Sequence, residues 1–420
     1  MPPSSRRHFL GHLWRAGLVL PAAHLAAGRA LAAPRTDLPH RFPDLARHFV
    51  FEYYPWYGAD PMRHWDAEDR VPPDDVATNY YPRLGPYDSR SAAALEQHAR
   101  WIVESGAGAV NLSWWGPDSY EDQAVHTIMD VMRDHGLKVT FHLEPYADDR
   151  GQRFVSDVLY LLREYGERRG WDALLILKNA DGSEGPVFKG FGTILTPETT
   201  DCHGVRHKVP EYTADDLWLR QTTELRRALR QEFDHVTILA DSVDITRTVR
   251  SGFDGIAVYD SVTSPASYAT YAAQATGAGL LFSFNCNAGF DVVAPRTVEP
   301  DSCYQPAPFV PETAGLDWSR PEERERAAAR VQDRIRESFA ATLAAQTDPA
   351  LTNARRGFFL VYVNSFNEWH EGSSFEPMRD ASALSAAQRV VGYHNPERGD
   401  YRIALLRSLV QPVLTSAVRA

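Results

Sequence analysis

Residues 358–378 read FFLVYVNSFNEWHEGSSFEPM, and this stretch decides the predicted fold. Residues 358–363 form an apolar run with the length and composition of a buried strand. The run ends at Asn364, and two carboxyl groups, Glu368 and Glu371, follow directly. Catalytic groups at the carboxyl end of a buried strand are typical of a (β/α)8 barrel. On a helical turn, Glu side chains three residues apart have Cβ atoms roughly 5 to 6 Å apart, which suits joint action on one glycosidic bond.

Outward from this strand, strand-like and helix-like runs alternate along the whole chain. Eight strands separated by helices indicate an α/β protein with the (β/α)8 TIM-barrel fold. Two segments, 174–178 and the run from 187 onward, have the pattern of strands joined by a turn. The sequence does not decide which of them is strand four of the barrel. The predicted strands are 48–54, 109–114, 138–143, 187–194, 236–240, 255–259, 280–284 and 358–363, and the predicted helices are 91–105, 120–135, 152–165, 212–233, 245–251, 264–276, 320–346 and 401–418.

Three connections are too long to be simple turns. Residues 57–89, 285–319 and 371–400 follow predicted strands one, seven and eight, and 195–211 forms a further loop after strand four. Because all of them leave the carboxyl ends of strands, we expect them to build walls around the catalytic face. The sequence contains no internal repeat or linker, so we predict a single catalytic domain.

The first residues have the pattern of an export signal. SRRHFL at Ser5 to Leu10 is a twin-arginine pattern, followed by an apolar segment and an Ala-Leu-Ala site. We predict a Tat signal over 1–33 and a barrel domain over 34–420, located in the periplasm or outside the cell. Cleavage would leave 40 Lys and Arg against 55 Asp and Glu, a net charge of about −15. This charge argues against nucleic acid as a partner, and no later apolar run approaches the roughly 20 residues of a membrane span.

The three cysteines, Cys202, Cys286 and Cys303, allow at most one disulfide within the chain. Cys286 and Cys303 are the nearer pair in sequence, but the sequence does not establish which pair forms. The oligomeric state is also left open. No Gly-rich phosphate loop and no G-x-S-x-G motif is present, which argues against nucleotide-dependent or serine-hydrolase chemistry.

Aromatic and polar side chains gather at the predicted strand ends. Rings stack on the apolar faces of sugars, whereas acids and amides bind hydroxyl groups, so the combination indicates a glycan site. A place in the hydrophobic core remains the alternative for each aromatic ring, and a structural acceptor is the alternative for Glu144. The candidate substrate-binding residues at strand ends are Tyr54, Trp56, Trp115, His142, Glu144, Tyr146, Tyr259, Asn367 and His370.

Several blocks, in order along the chain, resemble glycoside hydrolase family 99, the endo-α-1,2-mannosidases and endo-α-1,2-mannanases. The longest is SFNEWHEG at 365–372 with Glu376-Pro377. Tyr81, which lies within another block, joins the predicted substrate-binding residues. The blocks are YYPWY at 53–57, NYYP at 79–82 with LGPY at 84–87, SWW at 113–115, HLEPY at 142–146, GFDG at 252–255 and the 365–377 stretch.

The resemblance implies a barrel without metal or cofactor that cleaves α-mannoside chains internally with retention. It implies that Glu368 is a base acting on the sugar 2-hydroxyl, so that the 2-oxygen attacks C1 and forms a 1,2-anhydro sugar. Glu371 would be the acid on the leaving oxygen and then the base on water, which requires a raised pKa for its carboxyl group. From spacing alone, one carboxylate would instead be the nucleophile.

Two segments depart from the family pattern. Strand four runs through VFKGFG at 187–192 instead of a Tyr-Asp-Ser-Tyr-like segment, and NCNAGF at 285–290 replaces a Gly-Pro-Gly-Tyr-like turn. Both are expected to contact substrate, so two alternatives remain: a related barrel hydrolase on another α-linked bacterial polysaccharide, and a carbohydrate-binding barrel without catalysis. The intact Glu pair argues against the second.

Overall fold

Eight parallel strands form the centre of the computed structural model, which describes residues 38–312 and 315–415. The predicted export signal, 1–33, lies outside the described residues. Each strand pairs with the next strand along the chain, as in the predicted barrel. The strands are β1 (Phe49–Tyr53), β2 (Ala109–Trp114), β3 (Lys138–Leu143), β4 (Glu184–Gly190), β5 (Thr237–Ala240), β6 (Gly255–Ala257), β7 (Leu281–Ser283 and Asn285–Asn287) and β8 (Val361–Asn364).

The barrel is closed at β7, which the structure divides into two segments. Leu281–Ser283 pairs with β6, and Asn285–Asn287 pairs with β8. Only Phe284 separates the segments, so the chain itself joins the two ends of the sheet, while β8 continues the ring to β1. The predicted α/β fold with a (β/α)8 barrel is thereby confirmed.

A helix follows each strand, in agreement with the predicted alternation. Helix α1 ends at Gly106, whose φ of 92° is a left-handed conformation that glycine adopts at little cost. Helix α2 begins after Ser119, which accepts a hydrogen bond from the amide of Asp122. These eight helices are α1 (Ala92–Ser105), α2 (Tyr120–Asp134), α3 (Arg150–Leu162), α4 (Asp215–Leu229), α5 (Ile245–Arg250), α6 (Tyr268–Gly277), α7 (Pro321–Thr347) and α8 (Tyr401–Thr415), and additional short helices span Leu38–Arg41, Thr352–Arg356 and Ala386–Val391.

Strand four resolves the choice that the sequence left open. Glu184–Gly190 pairs in parallel with both β3 and β5 and is therefore the barrel strand. Ile176–Lys178 pairs with the start of β4 in the antiparallel direction and lies outside the ring. The predicted strand over 187–194 was too long at its carboxyl end, because the ladder stops at Gly190 and a loop begins at Phe191.

The inner side of the barrel changes character along the strands. Side chains two residues apart on a strand face the same side, so the inward positions form successive layers. The layer at the amino-terminal end is apolar and packs as one cluster, which includes Val50, Ala109, Val187, Leu239, Ala257, Leu281 and Leu360. Two residues further along the strands, charged and polar side chains such as Glu52 and Lys189 replace it.

The long connections lie at the carboxyl end and are joined to each other. Pro82, after β1, pairs with Met378, after β8. A disulfide between Cys202 and Cys303 joins the hairpin after β4 (Glu198–Thr200 and Arg206–Lys208) to the loop after β7. Cys286 and Cys303, the pair nearer in sequence, are not bonded, because Cys286 is buried in β7 within the barrel wall.

Among the described residues, no helix is both long enough and apolar enough to cross a membrane.

Candidate active site

The two carboxyl groups Glu368 and Glu371 lie on a tight turn directly after β8. The Ser365 hydroxyl oxygen accepts a hydrogen bond from the Glu368 amide (2.8 Å), and the Glu368 carboxylate accepts one from the His370 amide (3.0 Å). The side chains are nearly inaccessible, with exposures of 1% for Glu368 and 5% for Glu371. The turn therefore presents two buried acids at the carboxyl end of the barrel, where such folds assemble their active sites.

Glu371 is in contact with two tyrosines from other strand ends. The Tyr259 hydroxyl, after β6, donates a hydrogen bond to Glu371 Oε2 (3.3 Å). The Tyr54 hydroxyl, after β1, donates to the Tyr259 hydroxyl (2.8 Å). A phenol donates to a carboxylate and accepts from a carboxylic acid, so Tyr259 can bond Glu371 in either protonation state.

Asn367 holds this turn to the end of β1. Its side-chain oxygen accepts from the Tyr54 amide (2.7 Å), and its nitrogen donates to the Tyr54 carbonyl (3.0 Å) and to the Tyr87 hydroxyl (3.1 Å). Both side-chain hydrogens are thus used within the protein. This geometry gives Asn367 a structural task, namely fixing Tyr54 relative to the acidic pair.

A third acid, Glu376, supports the turn from behind and is fully buried. Its carboxylate accepts hydrogen bonds from the Trp369 indole nitrogen (3.0 Å) and the Tyr87 hydroxyl (2.7 Å). His98 Nε2 lies 3.3 Å from its other oxygen. These contacts with protein groups distinguish Glu376 from Glu368 and Glu371. The hydrogen bond from Trp369 to Glu376 also holds the Trp369 ring in place within the turn.

Aromatic rings and two histidines line the mouth beside the pair. Trp56 stacks on His64 with ring centres 4.7 Å apart, and Trp115, which is partly exposed, lies 6.4 Å from Trp56. His370 Nδ1 donates to the Ala77 carbonyl (2.8 Å), so its Nε2 is left to accept from His64 Nδ1 (3.3 Å). The structure thus brings Trp56, Trp115 and His370 together at one mouth.

Glu144 lies at the end of β3 and is buried. Its carboxylate accepts a hydrogen bond from the Ser113 hydroxyl (2.8 Å), which in turn accepts one from the Trp115 indole (3.0 Å). The acid therefore orients the partly exposed ring of Trp115 through Ser113.

The chain is similar in sequence to several known proteins. The sequence profile described as glycosyl hydrolase family 99 matches residues 45–175. Glycoprotein endo-alpha-1,2-mannosidase of Mus musculus is 26% identical over 365 residues, which are 79% of this chain and 69% of the mouse protein. The glycoprotein endo-alpha-1,2-mannosidase-like protein of Danio rerio is 25% identical, with 84% of this chain and 76% of the fish protein covered.

The chain resembles glycosyl hydrolase family 99 in its sequence profile, its relatives and its fold, and these findings together support a divergent member of that family. It is accordingly a glycoside hydrolase, as the sequence predicted. Structural similarity agrees in fold: the family 99 endo-alpha-mannosidase of Bacteroides thetaiotaomicron superimposes with a TM-score of 0.60 at 20% identity, over 89% of this chain and 99% of the other. A glycoside hydrolase-like protein gives a TM-score of 0.51 at 12% identity, over 92% of this chain and 97% of that protein.

Two of the predicted substrate-binding residues have their contacts elsewhere. The Tyr81 hydroxyl donates to the Pro73 carbonyl (2.9 Å), and the guanidinium of Arg379 lies 4.6 Å from its ring. The Tyr146 hydroxyl donates to Asp157 in α3 (2.7 Å). Both tyrosines are tied to the surrounding walls, and their part in substrate binding stays a prediction.

Sequence reasoning missed three charged residues, two on inward strand positions and one directly after a strand. Glu52 and Lys189 form an ion pair across the barrel beneath the acidic turn. Asp241, after β5, accepts from the Tyr259 amide (3.0 Å), and burial raises the pKa of Asp241 to about 6. A signal was available, because FVFEY and PVFKG each place one charge within an otherwise apolar strand.

Proposed function

We propose that this enzyme is a retaining, endo-acting hydrolase of α-mannoside glycans in which Glu368 and Glu371 are the catalytic pair. The observation that carries the proposal is the turn after β8, where two buried carboxyl groups have different surroundings. Glu368 is held by the amide of His370, and Glu371 is held by the hydroxyl of Tyr259. Two carboxyl groups with separate environments suit separate proton-transfer tasks. The names of the mouse and fish relatives support an α-mannoside substrate.

In the first step, Glu368 takes the proton from the 2-hydroxyl of the sugar while the 2-oxygen attacks C1. The bond between C1 and the leaving oxygen breaks, and that oxygen receives the proton of Glu371. The product is a 1,2-anhydro sugar, and Glu371 is left as a carboxylate that Tyr259 stabilises by its hydrogen bond.

In the second step, water attacks C1 and gives a proton to Glu371. The bond between C1 and the 2-oxygen breaks, and the 2-oxygen recovers its proton from Glu368. Each step inverts C1, so the net result is retention. Both groups return to their starting protonation states, and the hydroxyl relay from Tyr54 through Tyr259 to Glu371 can follow the change by rotation of O–H bonds.

A second candidate is cleavage of a different α-linked bacterial polysaccharide. It is favoured by the connections after β4 and β7, which depart from the family pattern and are joined by the Cys202–Cys303 disulfide. These connections would change the outer part of the cleft and leave the acidic turn as it is.

The test uses Glu368→Gln and Glu371→Gln on a panel of α-mannans, α-glucans and bacterial surface polysaccharides. We expect the wild-type enzyme to cleave an α-mannan internally and both variants to lose that activity. Glu376→Gln is the matched control, because it removes a buried carboxylate of the same stretch that contacts protein groups. Its loss of thermal stability measures the structural part of such a change.

Two results would overturn the proposal. Equal behaviour of wild type and both variants towards every polysaccharide would exclude the acidic pair as the catalytic groups. NMR of the first product reports the anomer directly, and initial release of the inverted anomer would exclude the anhydro-sugar route. Cleavage confined to a glucan or another polysaccharide would favour the second candidate.

A further inference from the structure

A polar layer crosses the barrel interior directly beneath the acidic pair. Glu52 of β1, Asn111 of β2, His142 of β3 and Lys189 of β4 form it, and none is more than 1% exposed. The Lys189 ammonium is paired with Glu52 Oε1, and Asn111 donates to Glu52 Oε2 (2.9 Å). Glu52 is thus the centre of the layer.

Glu52 determines which nitrogen of His142 carries the proton. Although burial alone would raise the pKa of Glu52, Lys189 and His142 lower it to about 2, so its carboxylate only accepts. His142 Nδ1 lies 3.2 Å from Glu52 Oε2 and therefore donates. Burial lowers the pKa of His142, which keeps the ring neutral and leaves Nε2 without a proton.

His142 Nε2 is a buried acceptor that lacks a hydrogen-bond partner within the described part of the chain. Buried polar atoms are ordinarily paired, and an unpaired one is costly unless something else binds it. The ring centre of His142 is 5.7 Å from that of Tyr259, whose hydroxyl contacts Glu371. The ring that carries the unused acceptor therefore packs beside Tyr259, which itself contacts the acidic pair.

Lys189 connects the same layer to Tyr259. Its ammonium lies 5.2 Å from the centre of the Tyr259 ring and 4.4 Å from that of Tyr362, within cation–π range. Lys189 belongs to the strand-four segment that departs from the family pattern. A buried ion pair contributes little to stability compared with apolar residues of the same size, so its presence beneath an active site calls for another role.

We propose that the Glu52–Lys189 ion pair positions His142, as the Nδ1-protonated neutral tautomer, to accept a hydrogen bond at Nε2 from a hydroxyl group of the bound glycan. Glu52 and Lys189 are positioning residues, and His142 is the residue that contacts substrate. The inference rests on the proposed function, because it requires a glycan at the acidic pair.

The decisive variant is Glu52→Gln with Lys189→Met, which removes both charges together and leaves neither uncompensated. Nitrogen-15 NMR of histidine-labelled protein at pH 7 reports the tautomer, with His142→Gln identifying the resonance. Affinity for an α-1,2-linked mannotetraose is measured by calorimetry in the Glu371→Gln background, so that binding is separated from cleavage. The matched control is Asp215→Asn with Arg247→Met, an ion pair between α4 and α5 (2.8 Å) outside the barrel interior.

We expect wild-type His142 to show a protonated Nδ1 and a bare Nε2, and the double variant to show the Nε2-protonated tautomer in clear excess, because affinity falls in proportion to the share of the competent tautomer that is lost. Affinity should fall about 3- to 10-fold, the worth of one hydrogen bond, and the control should change neither signal. A protonated Nε2 in the wild type overturns the proposal, and this measurement remains decisive if the double variant does not fold. An unchanged tautomer, or a changed tautomer with unchanged affinity, also overturns it.

Failure of the proposed function gives a different result. If the parent does not bind mannotetraose or any polysaccharide of the panel, the catalytic proposal and the hydroxyl contact both fail. The NMR spectra still decide whether the ion pair fixes the tautomer, because they need no ligand.

Discussion

Two halves of one barrel interior are built from different side chains. At the amino-terminal end, Val50, Ala109 and Leu239 belong to an apolar cluster. Two residues further along, Glu52 and Asn111 on their strands and Asp241 directly after β5 follow on the same side. Burial of apolar side chains stabilises the fold by roughly 1.5 to 3 kcal/mol each, whereas burial of charges costs free energy.

The apolar half of the barrel interior serves stability, and the polar half serves activity. Asp241, whose pKa burial raises to about 6, is less stable as a carboxylate in the folded protein than in water. Such unfavourable environments cluster at functional sites. We call the apolar layer at the amino-terminal end of the strands the lower half, and the polar layer at their carboxyl end the upper half. We expect substitutions in the lower half to change the free energy of unfolding, and substitutions in the upper half to change catalysis or binding.

The largest effect is expected in the upper half, for Glu371→Gln. Gln cannot donate or take up the proton, so kcat should fall about 10²- to 10⁴-fold, the usual contribution of a general acid or base. The volume is conserved and Tyr259 can still bond the amide, so the thermal midpoint should change little. The measurement is kcat on the α-mannan cleaved by wild type, alongside a thermal melt. A fall in activity no larger than that of Glu376→Gln would contradict the assigned role.

For Leu239→Ala in the lower half, we expect a loss of stability with little change in kcat. Leu239 is fully buried, and replacement of a buried Leu by Ala costs about 2 to 5 kcal/mol. Because the cavity forms away from the acidic turn, kcat below the melting range should stay near the wild-type value. Urea unfolding gives the free energy and initial rates give kcat. If Leu239→Ala instead lowered kcat and left the free energy of unfolding unchanged, the proposed division between a stabilising lower half and a functional upper half would be wrong.

The lower half was the easier part to predict from sequence. Residues 358–363 are continuous apolar side chains, and a run of this kind identifies a buried strand without knowledge of its neighbours. The acidic pair was also predictable, because Glu368 and Glu371 are close in sequence. Where the fold depends on distant partners, prediction was weaker: Phe284 interrupts β7 because the strand changes neighbours there.

Contacts across the barrel could not be derived from the chain order. Glu52 and Lys189 are 137 residues apart, and Cys202 and Cys303 are 101 apart. Their pairing follows from closure of the barrel and from the meeting of loops at its mouth, which are tertiary events. The family resemblance did not predict these two pairings either. Lys189 lies in a segment that departs from the family pattern, and Cys303 lies outside the matching blocks.

A pH dependence of stability is expected at the lower end from His48, which precedes β1 and is 2% exposed. Burial lowers the pKa of His48 to about 4, while its Nδ1 donates to the Phe359 carbonyl (2.7 Å). The unfolded chain binds a proton below about pH 6.5, and the folded protein does so only near pH 4. Stability should therefore fall as the pH decreases from 6.5 to 4, by at most about 3 kcal/mol.

The variant His48→Gln keeps a donor for the carbonyl and does not titrate. Urea unfolding of both proteins at several pH values isolates the histidine contribution, which should be absent from the variant. Parallel pH curves for the two proteins would show that His48 is not responsible.

The smallest effect is expected at the rim of the upper half, for Trp115→Ala. Its ring is partly exposed and oriented through Ser113 by Glu144, so it offers a fixed face for a sugar outside the bond that is cleaved. Loss of that face should raise KM about 10-fold, equivalent to roughly 1.4 kcal/mol, with a smaller change in kcat. Trp115→Phe keeps an aromatic face and should recover part of the affinity. Equal KM values for both variants and wild type would show that the glycan does not reach this rim, and an equal loss in both variants would assign the effect to the indole hydrogen bond with Ser113.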